Sequence, residues 1–268
     1  PGLPPRWRAG TLAPGTDLGH GGANTERPLM ERSTAPLLAV LIDADNTSPR
    51  WCKAIFDEIA SLGEASVRRV YGDFSSQQMN GWNKVQAEFG LVPHHQPANT
   101  VGKNASDIAL VIDAMDLMHS GRFDAFVLVS SDSDFTRLAS RVREQGLDVF
   151  GIGAAKTPGA FRKACKRFIF LENLADSEDK DKPSETTERA AGRNPNEARD
   201  LILKAMDSID QDDDWYTLGQ LGQFIVASNP DFDTRTYGKK KLSDLVQDIK
   251  IFETKRGPGN QLLVRRLD

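Results

Sequence analysis

Between residues 37 and 175, short apolar runs alternate with amphipathic stretches, the signature of a parallel sheet covered by helices on both faces. The runs Leu37–Ile42, Val67–Tyr71, Leu91–His94, Ala125–Val129, Leu147–Gly151 and Phe168–Leu171 read as strands. Pro49–Ser61, Gln77–Phe89, Ala105–Met118 and Asp134–Glu144 read as helices, with a shorter one over Gly159–Lys166. Pro49 suits a first helical turn, and Gly63, Gly90, Gly121 and Gly146 stand where helices should stop. The expected fold class is α/β, a doubly wound parallel sheet, with a second, smaller domain behind it.

Two stretches hold little that can be buried. Residues 1–36, rich in Pro, Gly and Ala, read as a flexible leader with Met30 a candidate start, and residues 176–194 read as a disordered linker. This leaves a first domain over 37–175 and a second over 195–268. In the second, helical patterns at Asn196–Ile209, Thr217–Ser228 and Arg235–Ile249 precede a strand pair, Phe252–Lys255 and Gln261–Arg265. Three helices and a hairpin predict a winged helix-turn-helix, with Thr217 and Thr234 as N-caps. Trp215, Leu218, Leu221, Phe224, Leu242, Leu245 and Phe252 are core by spacing.

Composition removes several classes of protein. With 34 basic and 38 acidic residues the formal charge is -4, so any nucleic-acid contact must be local. The 2 cysteines, Cys52 and Cys165, lie far apart without metal-ligand spacing, which argues against a disulfide scaffold and for buried thiols in a reducing compartment. No apolar run approaches the roughly 20 residues that span a bilayer. The head of the chain lacks a signal-peptide pattern, and a cytoplasmic protein is expected.

Ligands of parallel α/β sheets bind outside the carboxyl ends of the strands. Carboxylates gather at those ends here. Asp43, Asp45 and Asn46 follow the first strand, Asp73 the second, and Ser130, Ser131, Asp132 and Asp134 follow Ala125–Val129. Asp107 occupies the first turn of a helix facing the same edge. Such a cluster needs a compensating cation, and hard Mg²⁺ or Mn²⁺ with oxygen ligands is the natural one. An Asp after a strand also serves as a turn former or cap, the preferred reading for Asp45 and Asp73. Asp134 fits a helix cap and a site residue equally. Asp113 lies about 240° around its helix from Asp107 and is at best an outer partner.

The motifs IDADN at 42–46, SDIALVIDAMDL at 106–117 and LVSSDSDFTRLASRVREQG at 128–146 together resemble the NYN domain, a branch of the PIN-like metal-dependent ribonucleases. The resemblance implies catalytic roles for Asp43, Asp107, Asp132 and Asp134, with Asp43, Asp107 and Asp132 as ligands of Mg²⁺ or Mn²⁺. It makes Asn46 a site-orienting polar residue; Ser131 and Lys103 are candidates for substrate contact. A rival stands beside it. VLIDADNT at 40–47 approaches the nucleophile motif of haloacid-dehalogenase-type phosphatases, in which Asp43 would attack phosphate and Asp45 act as general acid.

His94 and His95 read as edge or loop histidines without a nearby carboxylate spacing, and His119 suits a helix C-terminus. The C-terminal segment, above all NPDFDTRTYG at 229–238 followed by KLSDL at 241–245, resembles the OST-HTH, or LOTUS, domain. That likeness implies RNA as partner, with a protein partner as the alternative. Lys239, Lys240 and Lys241 are expected to open the recognition helix, with Arg256 on the wing, so that positive residues gather for phosphate. Tyr237 reads as a core aromatic beside Phe232. The expected function is a metal-dependent endoribonuclease with an RNA-binding module; the competitor is a catalytically weak RNA-binding scaffold.

Overall fold

The structure is a computed structural model that describes residues 35–75, 79–96, 105–174, 194–211 and 213–267. Most of the expected leader, residues 1–34, and most of the expected linker lie outside the described residues. No helix among them is long and apolar enough to cross a membrane.

The first domain is built from β1 (Leu37–Asp43), α1 (Cys52–Ala60), β2 (Glu64–Gly72), α2 (Asn80–Phe89), β3 (Val92–His95), α3 (Ala105–His119), β4 (Ala125–Val129), α4 (Thr136–Glu144), β5 (Asp148–Gly153), α5 (Gly159–Ala164) and β6 (Arg167–Phe170). All neighbouring strand pairs are parallel, and the order across the sheet is β3-β2-β1-β4-β5-β6. The order reverses between β1 and β4, which opens a crevice at their carboxyl ends. Leu38 to Asp43 are all buried because β1 is central and covered on both faces.

Strand residues alternate between two cores. Ala39, Leu41, Phe126 and Leu128 pack with Leu110 and Ala114 of α3, Leu138 and Val142 of α4 and Phe161 of α5. Val40, Ile42, Val127 and Val129 pack with Ile55 and Ile59 of α1 and Trp82 of α2. This period of two is why a strand in the middle of a doubly wound sheet reads as one continuous apolar run.

The second domain comprises α6 (Pro195–Ser208), β7 (Tyr216–Thr217), α7 (Leu218–Ser228), α8 (Leu242–Asp248), β8 (Phe252–Arg256) and β9 (Leu262–Arg266), the strands forming an antiparallel sheet in the order β7-β9-β8. Thr217 caps α7 in a full capping box with Gln220. The expected helix Arg235–Ile249 is broken. A 3₁₀ turn, Thr234–Tyr237, capped by Asp233 rather than Thr234, ends at Gly238 in the left-handed region (φ 73). Lys239, Lys240 and Lys241 therefore precede α8 instead of opening it, and Lys239 pairs with Asp248. Phe224, expected in the core, is 39% exposed. Tyr237 is buried beside Phe232.

The 229–238 segment seats this module on β6, the outer strand of the large sheet. Phe168 N–H donates to the Pro230 carbonyl at 2.8 Å. Arg162 pairs with Asp231, and Asn173 Nδ2 donates to Thr236 Oγ1 at 2.9 Å. Arg235 reaches Glu58 at 2.8 Å and Asp233 at 2.6 Å, while Arg167 approaches Glu58 at 3.4 Å. Burial pushes the Asp233 carboxyl up, but the hydrogen bonds and charge of Arg235 outweigh it and hold it below its usual value. Glu58 is only 13% exposed, and its removal takes this carboxylate from Arg167 and leaves Arg235 with Asp233 alone. Glu58→Arg is expected to cost about 2–4 kcal/mol of contact between the modules. Small-angle scattering should then register a larger radius of gyration; an unchanged profile would remove these ion pairs from the account.

Candidate functional site

The crevice between β1 and β4 is organised by one buried carboxylate. Asp43, the last residue of β1, is 1% exposed, and its two oxygens accept four hydrogen bonds. Oδ1 takes the backbone N–H groups of Asp45 at 3.1 Å and Asn46 at 3.2 Å, an Asx turn that folds the chain sharply after the strand. Oδ2 takes Asn46 Nδ2 at 2.8 Å and Ser130 Oγ at 2.6 Å. Burial pushes the Asp43 carboxyl up, and the donations from Ser130 and Asn46 oppose it.

Ser130 links the two strand ends. Its hydroxyl donates to Asp43 and accepts the Asp132 N–H at 3.0 Å. Asp132 Oδ1 in turn accepts the Asp134 N–H at 2.9 Å, capping the 3₁₀ turn Ser133–Phe135 that leads into α4. The capping role considered for Asp134 thus belongs to Asp132. The turn expected of Asp45 is held instead by the Asp43 carboxylate, and the Asp45 side chain makes a tertiary contact. Its Oδ2 accepts Ser106 Oγ at 2.7 Å and fastens the start of α3 beside the crevice.

Asp107 is the next residue along α3. Burial first, and then the charges of Asp43, Asp132, Asp45 and Asp134, together raise its carboxyl to about 6. Five acidic residues from three chain segments therefore share one field. Among the described residues no three His, Cys, Asp or Glu side chains converge into a closed ligand set. Charges act on one another over longer distances than ligand bonds span, so the two observations together describe an open acidic crevice. Its donors are hard carboxylate and hydroxyl oxygens, a set whose chemistry fits Mg²⁺ or Mn²⁺ and not a thiolate or imidazole metal.

The other expected site residues are dispersed. Ser131 Oγ accepts the Ala154 N–H at 2.8 Å and ties β4 to the end of β5. Asn46 is exposed at the mouth of the crevice. Lys103 lies outside the described residues. Lys240 and Lys241 are exposed on the second domain, and Arg256 donates to the Asn260 carbonyl at 3.0 Å in the wing turn. Trp215 is half-buried, with Lys255 3.8 Å and Arg265 4.8 Å from its ring centroid, so it carries the wing's cations rather than filling the core.

Two groups escaped the sequence reading. Ser130 and Ser106 hold the site together through hydroxyls, and the only hint was a serine beside each acidic motif. Asp113 is the centre of a separate cluster, accepting Arg69 at 2.8 Å and Tyr71 Oη at 2.8 Å, with His94 at 3.1 Å. His94 thus has a carboxylate partner after all, and His95 accepts the Phe74 N–H at 3.1 Å with Asp73 3.9 Å away. Both thiols are buried as expected, and burial pushes each up to about 12.

Gly153 controls how closely β5 approaches this site. A Cβ there would lie 2.4 Å from the Ser130 carbonyl oxygen, 2.9 Å from Thr157 Oγ1 and 3.0 Å from Phe168. Gly153→Ala is therefore expected to displace Ser130 and cost about 1–3 kcal/mol. Calorimetry checks this; a variant with wild-type melting contradicts the close approach.

The doubly wound sheet and the acidic crevice at its switch point place the chain among the α/β proteins that bind ligands outside the carboxyl ends of their strands. The NYN domain family model matches residues 37–172, and the chain belongs to that family. Residues 194–264 match the OST-HTH/LOTUS domain. Among solved structures, a Vibrio parahaemolyticus protein of unknown function is similar at 17% identity and TM-score 0.44, over 53% of this chain and 96% of that one. An uncharacterized Nitrosomonas europaea protein, solved by NMR, is similar at 30% identity and TM-score 0.25, over 34% of this chain and 90% of that one. A comparison with curated proteins returns no match.

Proposed function

We propose that the chain is a divalent-metal-dependent endoribonuclease whose cleavage site is the crevice between β1 and β4. The observation that carries this is the linked set Asp43, Ser130, Asp132 at the switch point, with Asp107 in the same negative field. Asp107 and Asp132 would hold a cation, with Asp134 at the rim. A bound Mg²⁺ or Mn²⁺ supplies an activated water and neutralises phosphate charge.

The chain's own contribution is positional. Asp43 has every lone-pair direction occupied, so holding a cation directly would require it to release a donor. Its charge instead fixes Ser130 and Asn46, and through Ser130 the backbone of Asp132. The same saturation speaks against the phosphatase reading, because a nucleophilic carboxylate needs a free oxygen aimed at phosphorus. Lys240, Lys241 and Arg256 supply phosphate contacts on the OST-HTH/LOTUS side, which is the reason to name RNA.

A second reading rests on the absence of a closed ligand set among the described residues: an RNA-binding scaffold with a weak site. Incubating purified protein with single-stranded and structured RNA in Mn²⁺, Mg²⁺ or EDTA separates the two. Cleavage that requires the metal supports the nuclease; binding without cleavage in all three supports the scaffold.

A further inference from the structure

The seating of the OST-HTH/LOTUS module on β6 creates a cleft of about 800 Å³ between the two domains. One wall carries Arg143 from the end of α4 with Lys163 and Lys166 from the α5 region. The facing wall is the end of α7 and its exit, with Gln223, Ser228 and Pro230. Among the described residues no carboxylate lines the cleft. Lys166 is shared with Asp148 at 2.5 Å, whereas Arg143 donates only a long contact to the Ala164 carbonyl at 3.4 Å. All three cations are exposed, on a chain whose net charge is -4. A basic wall facing a neutral, mainly apolar wall that includes Val226 and Ala227, in a cleft of this size, suits a short run of phosphodiester backbone on the cations with a base against the apolar side.

We propose that this interdomain cleft is a second binding site, for the sugar-phosphate backbone of a single-stranded nucleic acid, and that it exists only while the two modules are clamped. It rests on the RNA-binding part of the function proposed above. The cleft is distinct from the acidic crevice: Cys165 and Lys166 precede β6 at the amino ends of the strands, whereas the crevice lies at the carboxyl ends. It is also distinct from Lys240, Lys241 and Arg256. Strand held in the cleft would thus be anchored more than a strand length, roughly 17 Å for five residues, from the acidic crevice.

The test uses the full chain carrying Asp132→Asn in EDTA, so that binding is read without cleavage. Fluorescence anisotropy is followed with labelled 12-nucleotide single-stranded RNA and DNA across a salt series. Arg143→Glu with Lys163→Glu is expected to weaken binding at least tenfold and to reduce the salt slope by about 1.4, the value for two lost phosphate contacts on single strands. Glu58→Arg, which removes no cation from the cleft, is expected to weaken binding similarly by opening it; circular dichroism checks that both variants are folded. Equal losses on RNA and DNA identify the phosphate backbone as the ligand, and a loss confined to RNA adds the 2′-hydroxyl. Unchanged affinity and slope in the folded Arg143→Glu/Lys163→Glu protein overturn the cleft while leaving RNA binding intact. Failure of the unaltered cleft to bind either strand overturns both readings.

Discussion

Asp132→Asn is expected to lower metal-dependent RNA cleavage at least 100-fold while leaving the melting temperature nearly unchanged, whereas Asp43→Asn is expected to lose both activity and stability. The difference lies in what each carboxylate touches. Asp132 accepts a single backbone N–H through Oδ1, and an asparagine keeps that bond. Only its charge is lost, which is the part a cation would use. At Asp43 an amide nitrogen would replace an oxygen that already receives two donors, Asn46 Nδ2 and Ser130 Oγ. An amide nitrogen accepts from neither, so both lose their acceptor in a buried place, a cost of about 1–3 kcal/mol for each donor that finds no other. Ser130→Ala should fall between them, with a 10- to 100-fold loss of activity of the kind seen when an outer partner of a metal site is removed. Calorimetry and initial cleavage rates on the three variants decide the matter, and equal melting of Asp43→Asn and Asp132→Asn would refute the hub role of Asp43.

Asp107→Asn is expected to melt higher than the unaltered protein in metal-free buffer at pH 8. The folded protein holds the Asp107 proton more tightly than the unfolded chain does, about 6 against an ordinary 3.8. A carboxyl raised in this way stabilises nothing as pH climbs: stability falls from about pH 4 to about pH 6, and the full penalty remains above that. Taken at face value the displacement is worth about 3 kcal/mol, and screening by solvent in an open crevice reduces it to roughly 1–2 kcal/mol. The gain in the variant is then roughly 3–6 °C. Mn²⁺ should raise the melting temperature of the unaltered protein above pH 6, where the proton no longer competes, and much less below it. Asp107→Asn should lose most of that response. If both proteins melt together in EDTA and respond alike to Mn²⁺, Asp107 is not part of the charge cluster.

Much of this architecture is legible in the chain. The apolar runs mark the strands to within a few residues because a strand covered on both faces has no polar positions to confuse the pattern. That Asp43 and Asp132 come to the same edge, joined through Ser130, follows once β1 and β4 are adjacent, since both strands end at the switch point. What stayed hidden depends on contacts distant in sequence or on small hydroxyls. Glu58 and Arg235 lie 177 positions apart, and neither residue type signals a tertiary partner. Ser130 and Ser106 look like any turn serine. The break before α8 was available in principle, because Gly238 is the kind of residue that closes a helical turn in the left-handed region, yet the apolar periodicity on either side of it masked the interruption. Trp215 misled for a different reason: an aromatic at core spacing also serves as a platform for cations.

The hydrogen bond from Phe168 to Pro230 bears on how freely such a nuclease module can be moved between proteins. β6 is the outer strand of a six-stranded sheet, and an uncovered outer strand is a template on which a second copy can pair. The Pro230 carbonyl of the OST-HTH/LOTUS module occupies the Phe168 donor of that strand. Any other partner fused in its place would have to supply an acceptor for the same N–H.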